Sequence, residues 1–409
     1  MMLRVVPVLL LLGASPVLAS STIESLSAAQ PSSPGHRPAA KLPELVLKPA
    51  IAGVKKIQYF GNGHIEVAGA LVLVPQDSRT PQLLKLAQQV AKATLNARLQ
   101  LNEVDISIHA RENFRGFGGP APLLTASVPR ARLKEFLALS AANIRTYERV
   151  WLASEAKEPA LVAGGEVQAT RDRERAPLFQ GTVAQLIRQL IAQRKARRSG
   201  ETVDGIVLHG NPGVKQAALT FDDAVHPIYA PLLLDSLRMN RTRATFFVVG
   251  RNVFAYPYFL RDLVKDGHEI GNHTYHHIRA SDLTIEQLED EIVGTNQLVR
   301  ELTGQKMVYF RPPGGWYSLE MLMLLKKLNL TMAFWTNDPS DVDNLGAVEL
   351  EKRFLRDLHP GGIVLLHDNA QDTILSIGQL IQKAKQRGIA LVPLGELMSG
   401  TKRKVYPSQ

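Results

Sequence analysis

From Gln216 onward the chain repeats one pattern, a short unbroken apolar run followed by a helical stretch. Ala217-Ala218-Leu219-Thr220-Phe221, Ala244-Thr245-Phe246-Phe247-Val248-Val249, Gly362-Ile363-Val364-Leu365-Leu366 and Ile389-Ala390-Leu391-Val392 are too uniformly apolar for strands with one wet face. Tyr258 to Lys265 and Ile374 to Arg387 carry helical spacing between them. Strands buried on both faces and separated by helices imply an α/β unit with a mainly parallel sheet. The 409 residues include no cysteine. Disulfides, thiolate metal sites and Cys nucleophiles are therefore excluded, and any metal must be held by His, Asp or Glu.

The rest of the chain divides by composition. Arg4, the apolar run Val5 to Leu12 and the small residues up to Ala19 read as a secretory leader over 1–19. The Ser-, Pro- and Ala-rich stretch 20–44 reads as a flexible tether. Residues 45–160 are expected to form a small α+β domain. Ile57 to Phe60 and His64 to Val74 suit a hairpin, Pro81 to Leu99 a helix, Val104 to His109 and Leu123 to Val128 two strands, and Pro129 opens a helix running toward Ile144. His64 and His109 sit in strand patterns as structural histidines, and Phe114-Arg115-Gly116-Phe117-Gly118-Gly119 reads as an exposed loop. Residues 161–205 form a basic connector, with a helix over Thr182 to Arg198 that ends in Arg194-Lys195-Ala196-Arg197-Arg198-Ser199-Gly200.

Charge follows the same division. Ser20 to Gly205 holds 25 Lys and Arg against 16 Asp and Glu, a net of +9, whereas Ile206 to Gln409 holds 22 of each. A nucleic-acid enzyme would carry its positive field around the catalytic groups. Here those groups lie in the neutral half, and no nucleic-acid partner is expected.

The apolar run that starts at Ala217 ends abruptly in Asp222-Asp223. Successive strand side chains alternate, so one acid can hold a cation while its neighbour faces water or substrate. The segment Gly267 to His277 contains His268, His273, His276 and His277. One helical turn would bring His273 and His277 to one side, and with Asp223 they make a two-His, one-carboxylate set with open positions.

Thr220-Phe221-Asp222-Asp223, His273-Thr274-x-x-His277, Arg311-Pro312-Pro313 and Leu365-Leu366-His367 resemble, in order and spacing, the motifs of the polysaccharide deacetylase family, metal-dependent carbohydrate esterases with a NodB-like domain. The resemblance covers about Asn211 to Leu397. It implies a distorted, incomplete (β/α) barrel over 206–409 with its site at the C-terminal strand ends. Carried over residue by residue, Asp222 becomes the catalytic base, with Arg311 beside it. Asp223, His273 and His277 become ligands of one divalent metal ion, zinc, with cobalt or nickel able to serve the same geometry. His367 becomes the acid for the leaving group, and Asp338, in Asn337-Asp338-Pro339-Ser340-Asp341, the carboxylate that orients it. The backbone N–H of Gly314 becomes the oxyanion donor at a position where the family commonly has Tyr, and Trp316 is expected to replace that aromatic wall. Leu365 lines the acetyl pocket. Ala224 stands where the family usually has Gly, so the turn there must avoid a left-handed backbone or accept strain.

The expected activity is hydrolysis of N-acetyl groups on cell-surface or extracellular polysaccharide such as peptidoglycan, a chitin-like polymer or poly-N-acetylglucosamine. The alternatives are an O-acetyl carbohydrate esterase and an inactive polysaccharide-binding protein. The expected location is secreted, periplasmic or envelope-associated, with no stable protein partner. The half ending at Gly205 is expected to recruit the enzyme without supplying a reacting group, so that a fragment starting near Val203 stays active on short oligomers.

Overall fold

The computed structural model describes residues 41–115, 120–156, 158–159 and 178–399. The leader, residues 20–40 of the tether, residues 116–119 of the loop after Arg115, and the whole of the connector before residue 178 lie outside these.

Five strands build the first sheet in sequence order: β1 (Val54–Gly61), β2 (Glu66–Val74), β3 (Leu101–Ala110), β4 (Leu124–Pro129) and β5 (Val150–Leu152). β2 and β3 run parallel because the helix Thr80–Ala97 crosses over between them. That helix buries Leu83, Leu84, Ala87, Val90, Ala91 and Leu95 against one sheet face. The helix expected to run to Ile144 instead stops at Leu137, because the Ser140 N–H and hydroxyl both donate to Asn143 Oδ1 and turn the chain toward β5.

The second half is an α/β unit. β7 (Ile206–Val207), β8 (Gln216–Ala224), β9 (Thr245–Val248), β10 (Glu269–Asn272), β11 (Tyr309–Phe310), β13 (Thr331–Ala333), β14 (Ile363–His367) and β15 (Ala390–Val392) form one sheet. Its order is β14-β8-β9-β10-β11-β13-β7, with β15 also beside β8, and every pair is parallel. The sheet curls until Asn337, just beyond β13, meets Val364 of β14 in a parallel bridge. This is the distorted, incomplete barrel, and the C-terminal ends of β8, β10, β11 and β14 share one rim.

The N-terminal sheet does not hang from the barrel as a separate bead. Val67 and Trp151 belong to the same apolar cluster as Phe221, Tyr229 and Phe254, with the Trp151 and Phe254 rings edge to face at 5.0 Å. Gly69 leaves the space that Ile228 fills, since a Cβ there would lie 2.6 Å from that side chain. Polar contacts surround this seam. Arg149 meets Asp262 at 2.6 Å, Thr125 Oγ1 donates to the Ala255 carbonyl at 2.6 Å, and Asn62 Nδ2 donates to the Leu232 carbonyl at 2.9 Å. The connector also returns to the barrel: β6 (Leu178–Gln180) pairs in parallel with β12 (Trp316–Ser318). A fragment cut near Val203 would lose a strand and uncover apolar surface, so its activity on short oligomers has to be read on fragment shown to be folded.

One stability prediction follows from the shared core. Trp151→Ala should cost about 3–5 kcal/mol, as large-to-small changes at well-packed aromatics do. Urea unfolding of the wild type should show one transition for both halves. A separate early transition for the N-terminal sheet would mean that the seam carries little energy.

Candidate metal centre

The centre begins with a bulge. β8 pairs Phe221 with Phe246 and then Ala224 with Val248, so Asp222 and Asp223 together oppose the single residue Phe247. The extra residue is Asp223, whose φ of 67° is left-handed, a conformation that Asp tolerates better than most residues. This resolves the question raised by Ala224: the left-handed position is one residue earlier. It also corrects the expectation from strand alternation, because the two acids do not diverge. Asp222 Oδ2 and Asp223 Oδ1 both stand 3.8 Å from His273 Nε2.

His273 and His277 come together without a helix. The segment after β10 is irregular, and Thr274 and His277 are left-handed, with φ of 65° and 59°. Side chains hold the loop: Asn272 Oδ1 accepts from the Thr274 N–H at 2.8 Å, and Thr274 Oγ1 accepts from the His277 N–H at 3.1 Å. The two imidazoles face each other with centroids 4.9 Å apart, and His277 Nε2 lies 3.1 Å from Asp223 Oδ1. His276 turns away to Glu291, meeting Oε1 at 2.6 Å, and His268 Nδ1 accepts from the Ala244 N–H. Both are structural.

Asp223, His273 and His277 can hold a divalent cation. The donor atoms fit. His273 Nδ1 donates to the Arg311 carbonyl at 2.7 Å, which fixes the tautomer and leaves a bare lone pair on Nε2. That Nε2 is buried and has no hydrogen-bond partner. Burial lowers the His273 pKa to about 4, so the ring is neutral and free to ligate. Burial alone would raise the Asp223 carboxyl, but the charge and hydrogen bond of His277 outweigh it and hold Asp223 well below the usual carboxylate range. Asn369 Nδ2 donates to Asp223 Oδ2 at 3.0 Å and orients the remaining oxygen.

Arg311, fully buried at the end of β11, reaches Asp222 Oδ1 at 2.7 Å and Thr220 Oγ1 at 2.8 Å through Nη1. Nε and Nη2 donate to the carbonyls of Ala333 and Phe334, and the guanidinium lies 4.1 Å from the Phe247 centroid. Its geometry is thus set on every side, while Asp222 Oδ2 stays buried and unbonded. Replacing Arg311 by Met would strand a buried carboxylate, at a cost of about 3–5 kcal/mol. Adding Asp222→Asn should recover part of that loss. A double variant no more stable than Arg311→Met in chemical denaturation would refute the pairing.

Across the rim, His367 ends β14 in register with Asp222. The carboxylate against it is Asp341, not the expected Asp338. Asp341 Oδ1 accepts from His367 Nδ1 at 2.8 Å and Oδ2 from the His367 N–H at 2.7 Å, and Thr373 Oγ1 donates to Oδ2 at 2.5 Å. Asp338 Oδ1 instead accepts from the Ser340 N–H at 2.8 Å, closing a turn in which Ser340 is left-handed and Asp341 is carried inward. Asp341 is 1% exposed.

Gly314 and Gly315 are left-handed, with φ of 68° and 71°. A Cβ on Gly314 would lie 3.2 Å from the Trp316 ring. The aromatic that the family commonly has at this position is thus replaced by a bare backbone turn beside half-buried Trp316, over which the Arg279 guanidinium sits 5.8 Å from the ring. Leu365 is fully buried, two residues before His367 on β14.

Residues 209–333 match the family model described as polysaccharide deacetylase. The chain is 34% identical over 189 residues to a peptidoglycan-N-acetylglucosamine deacetylase of Bacillus cereus, covering 45% of this chain and 88% of that protein. It is 33% identical over 193 residues to a peptidoglycan-N-acetylmuramic acid deacetylase of Bacillus subtilis, covering 46% and 73%. It is 32% identical over 191 residues to a chitooligosaccharide deacetylase of Azorhizobium caulinodans, covering 43% and 91%.

Proposed function

Because the chain belongs to the polysaccharide deacetylase family, we propose that it is an exported, metal-dependent hydrolase that removes N-acetyl groups from an envelope or extracellular polysaccharide. The observation that carries this reading is the convergence, on one rim, of a buried unbonded carboxylate oxygen, a ligand set and an imidazole on the facing strand. Asp223, His273 and His277 would hold a divalent cation, zinc in our reading, which would supply Lewis-acid polarisation of the acetyl carbonyl.

The remaining chemistry belongs to the chain. Asp222, hydrogen-bonded by Arg311 through Oδ1, takes a proton from the attacking water as the water oxygen bonds to the carbonyl carbon. Charge growing on the carbonyl oxygen is met by the Gly314 N–H. His367, oriented by Asp341, gives a proton to the sugar nitrogen as the carbon–nitrogen bond breaks, and acetate leaves. Leu365 offers the acetyl methyl an apolar wall, and Trp316 a face for a sugar ring. The three relatives named above act, by their names, on peptidoglycan or chitooligosaccharide, which supports a glycan rich in N-acetylhexosamine as substrate.

Acetate release should be measured from chitooligosaccharides and peptidoglycan with zinc-loaded full-length protein, beside a chelated control. Release from O-acetylated xylan alone would replace this reading with an O-acetyl esterase. Release from none of these, at full metal occupancy, would leave a binding protein.

A further inference from the structure

The helix Val183–Ser199 is built inside out. Val183, Leu186, Ile187, Leu190 and Ile191 recur at the spacing of one helical face, yet they are between 39% and 74% exposed. Among the residues of this helix whose burial is described, Gln189 is the buried one, at 7%, and Gln185 is half-buried. A helix in a solvated connector is polar all round, and a helix docked on its own domain turns its aliphatics inward. This helix does neither. A contiguous aliphatic stripe held outward on a soluble fold marks a surface for something else.

Charge narrows the occupant. The helix carries Arg188, Arg194, Lys195, Arg197 and Arg198 and not one acidic residue, and Arg188 and Arg194 are exposed. Pairing with a second copy through this face would bring two all-cationic helices together without a counter-charge. An anionic polymer would answer the charge but offer the aliphatic stripe nothing to enter. An anionic phospholipid bilayer does both, with acyl chains for the stripe and headgroup phosphates for the guanidinium groups. The helix follows β6, the strand clamped to β12, by two residues, so a surface bound there is coupled to the loop that carries Gly314 and Trp316.

We propose that the first half of this helix, from Val183 to Ile191, docks the protein on an anionic phospholipid membrane, with the basic residues from Arg194 onward at the headgroups. This does not depend on the deacetylase reading. The absence of native cysteine permits a clean probe. Ile187→Cys in the full chain, labelled with an environment-sensitive nitrobenzoxadiazole, should brighten roughly threefold and shift to the blue on vesicles of phosphatidylcholine and phosphatidylglycerol at about 3:1. The same label through Val348→Cys, on a position 86% exposed in the barrel, should not respond. On phosphatidylcholine alone the label at 187 should stay in water. Adding Arg188→Gln and Arg194→Gln should weaken partitioning roughly tenfold or more.

Three results would overturn the proposal: no response at 187 on either vesicle, equal response on both, or burial of the label without vesicles that grows with protein concentration. The last would assign the face to a second copy.

Discussion

His273→Ala is expected to empty the metal centre and to lower kcat/KM by on the order of a thousandfold or more, the scale of several kcal/mol of lost Lewis-acid stabilisation. The imidazole is fully buried and its Nδ1 proton is committed to the Arg311 carbonyl, which holds the Nε2 lone pair toward Asp223 and His277. Metal content after exhaustive dialysis separates this from unfolding, because the variant should retain the wild-type circular dichroism. Full occupancy in His273→Ala would remove this residue from the ligand set. His276→Ala should leave occupancy unchanged, since that ring is bound to Glu291.

The second large effect concerns the imidazole on the facing strand. Asp341→Asn keeps a hydrogen-bond acceptor beside His367 but removes the charge that favours the imidazolium. kcat/KM should fall about a hundredfold, and its basic limb should move to lower pH because His367 gives up its proton sooner. Metal content should not change. Asp338→Asn should leave the basic limb where it is, because its carboxylate closes the turn at Ser340. A shift with Asp338→Asn and none with Asp341→Asn would restore the first assignment.

The exchange of Asp338 for Asp341 shows what could be read from residues and what could not. Unbroken apolar runs announced the parallel sheet, and acids and histidines at strand ends announced a cation site, because those signals are local in the chain. The orienting acid is set by a turn whose direction depends on a left-handed Ser340, and serine carries no strong mark of that conformation. The bulge at Asp222-Asp223 was equally hidden. Alternation predicts divergence, and only the register against β9 reveals the extra residue. Helical spacing at His273 and His277 led to the right pair through the wrong backbone. β6 is three residues long and its partner lies far along the chain, so no period could announce it. In the N-terminal half the hairpin and the crossover helix were legible, whereas the outward stripe of Val183–Ser199 had the same spacing as a helix facing inward.

The β6–β12 pairing also imposes an order on biosynthesis. A growing chain releases the N-terminal sheet first, and that sheet can close over its own cluster around Val72, Val90 and Ile106 before the barrel exists. β6 then emerges with no partner and must wait while β7 through β11 are made, since the strand it joins comes later. During that interval the nascent protein carries an open strand edge beside the aliphatic stripe, which stays exposed in the finished fold. Refolding from denaturant, where β6 and β12 are present together from the start, removes this wait, so yield from a ribosome and yield from a refolding buffer should respond differently to substitutions in Leu178–Gln180.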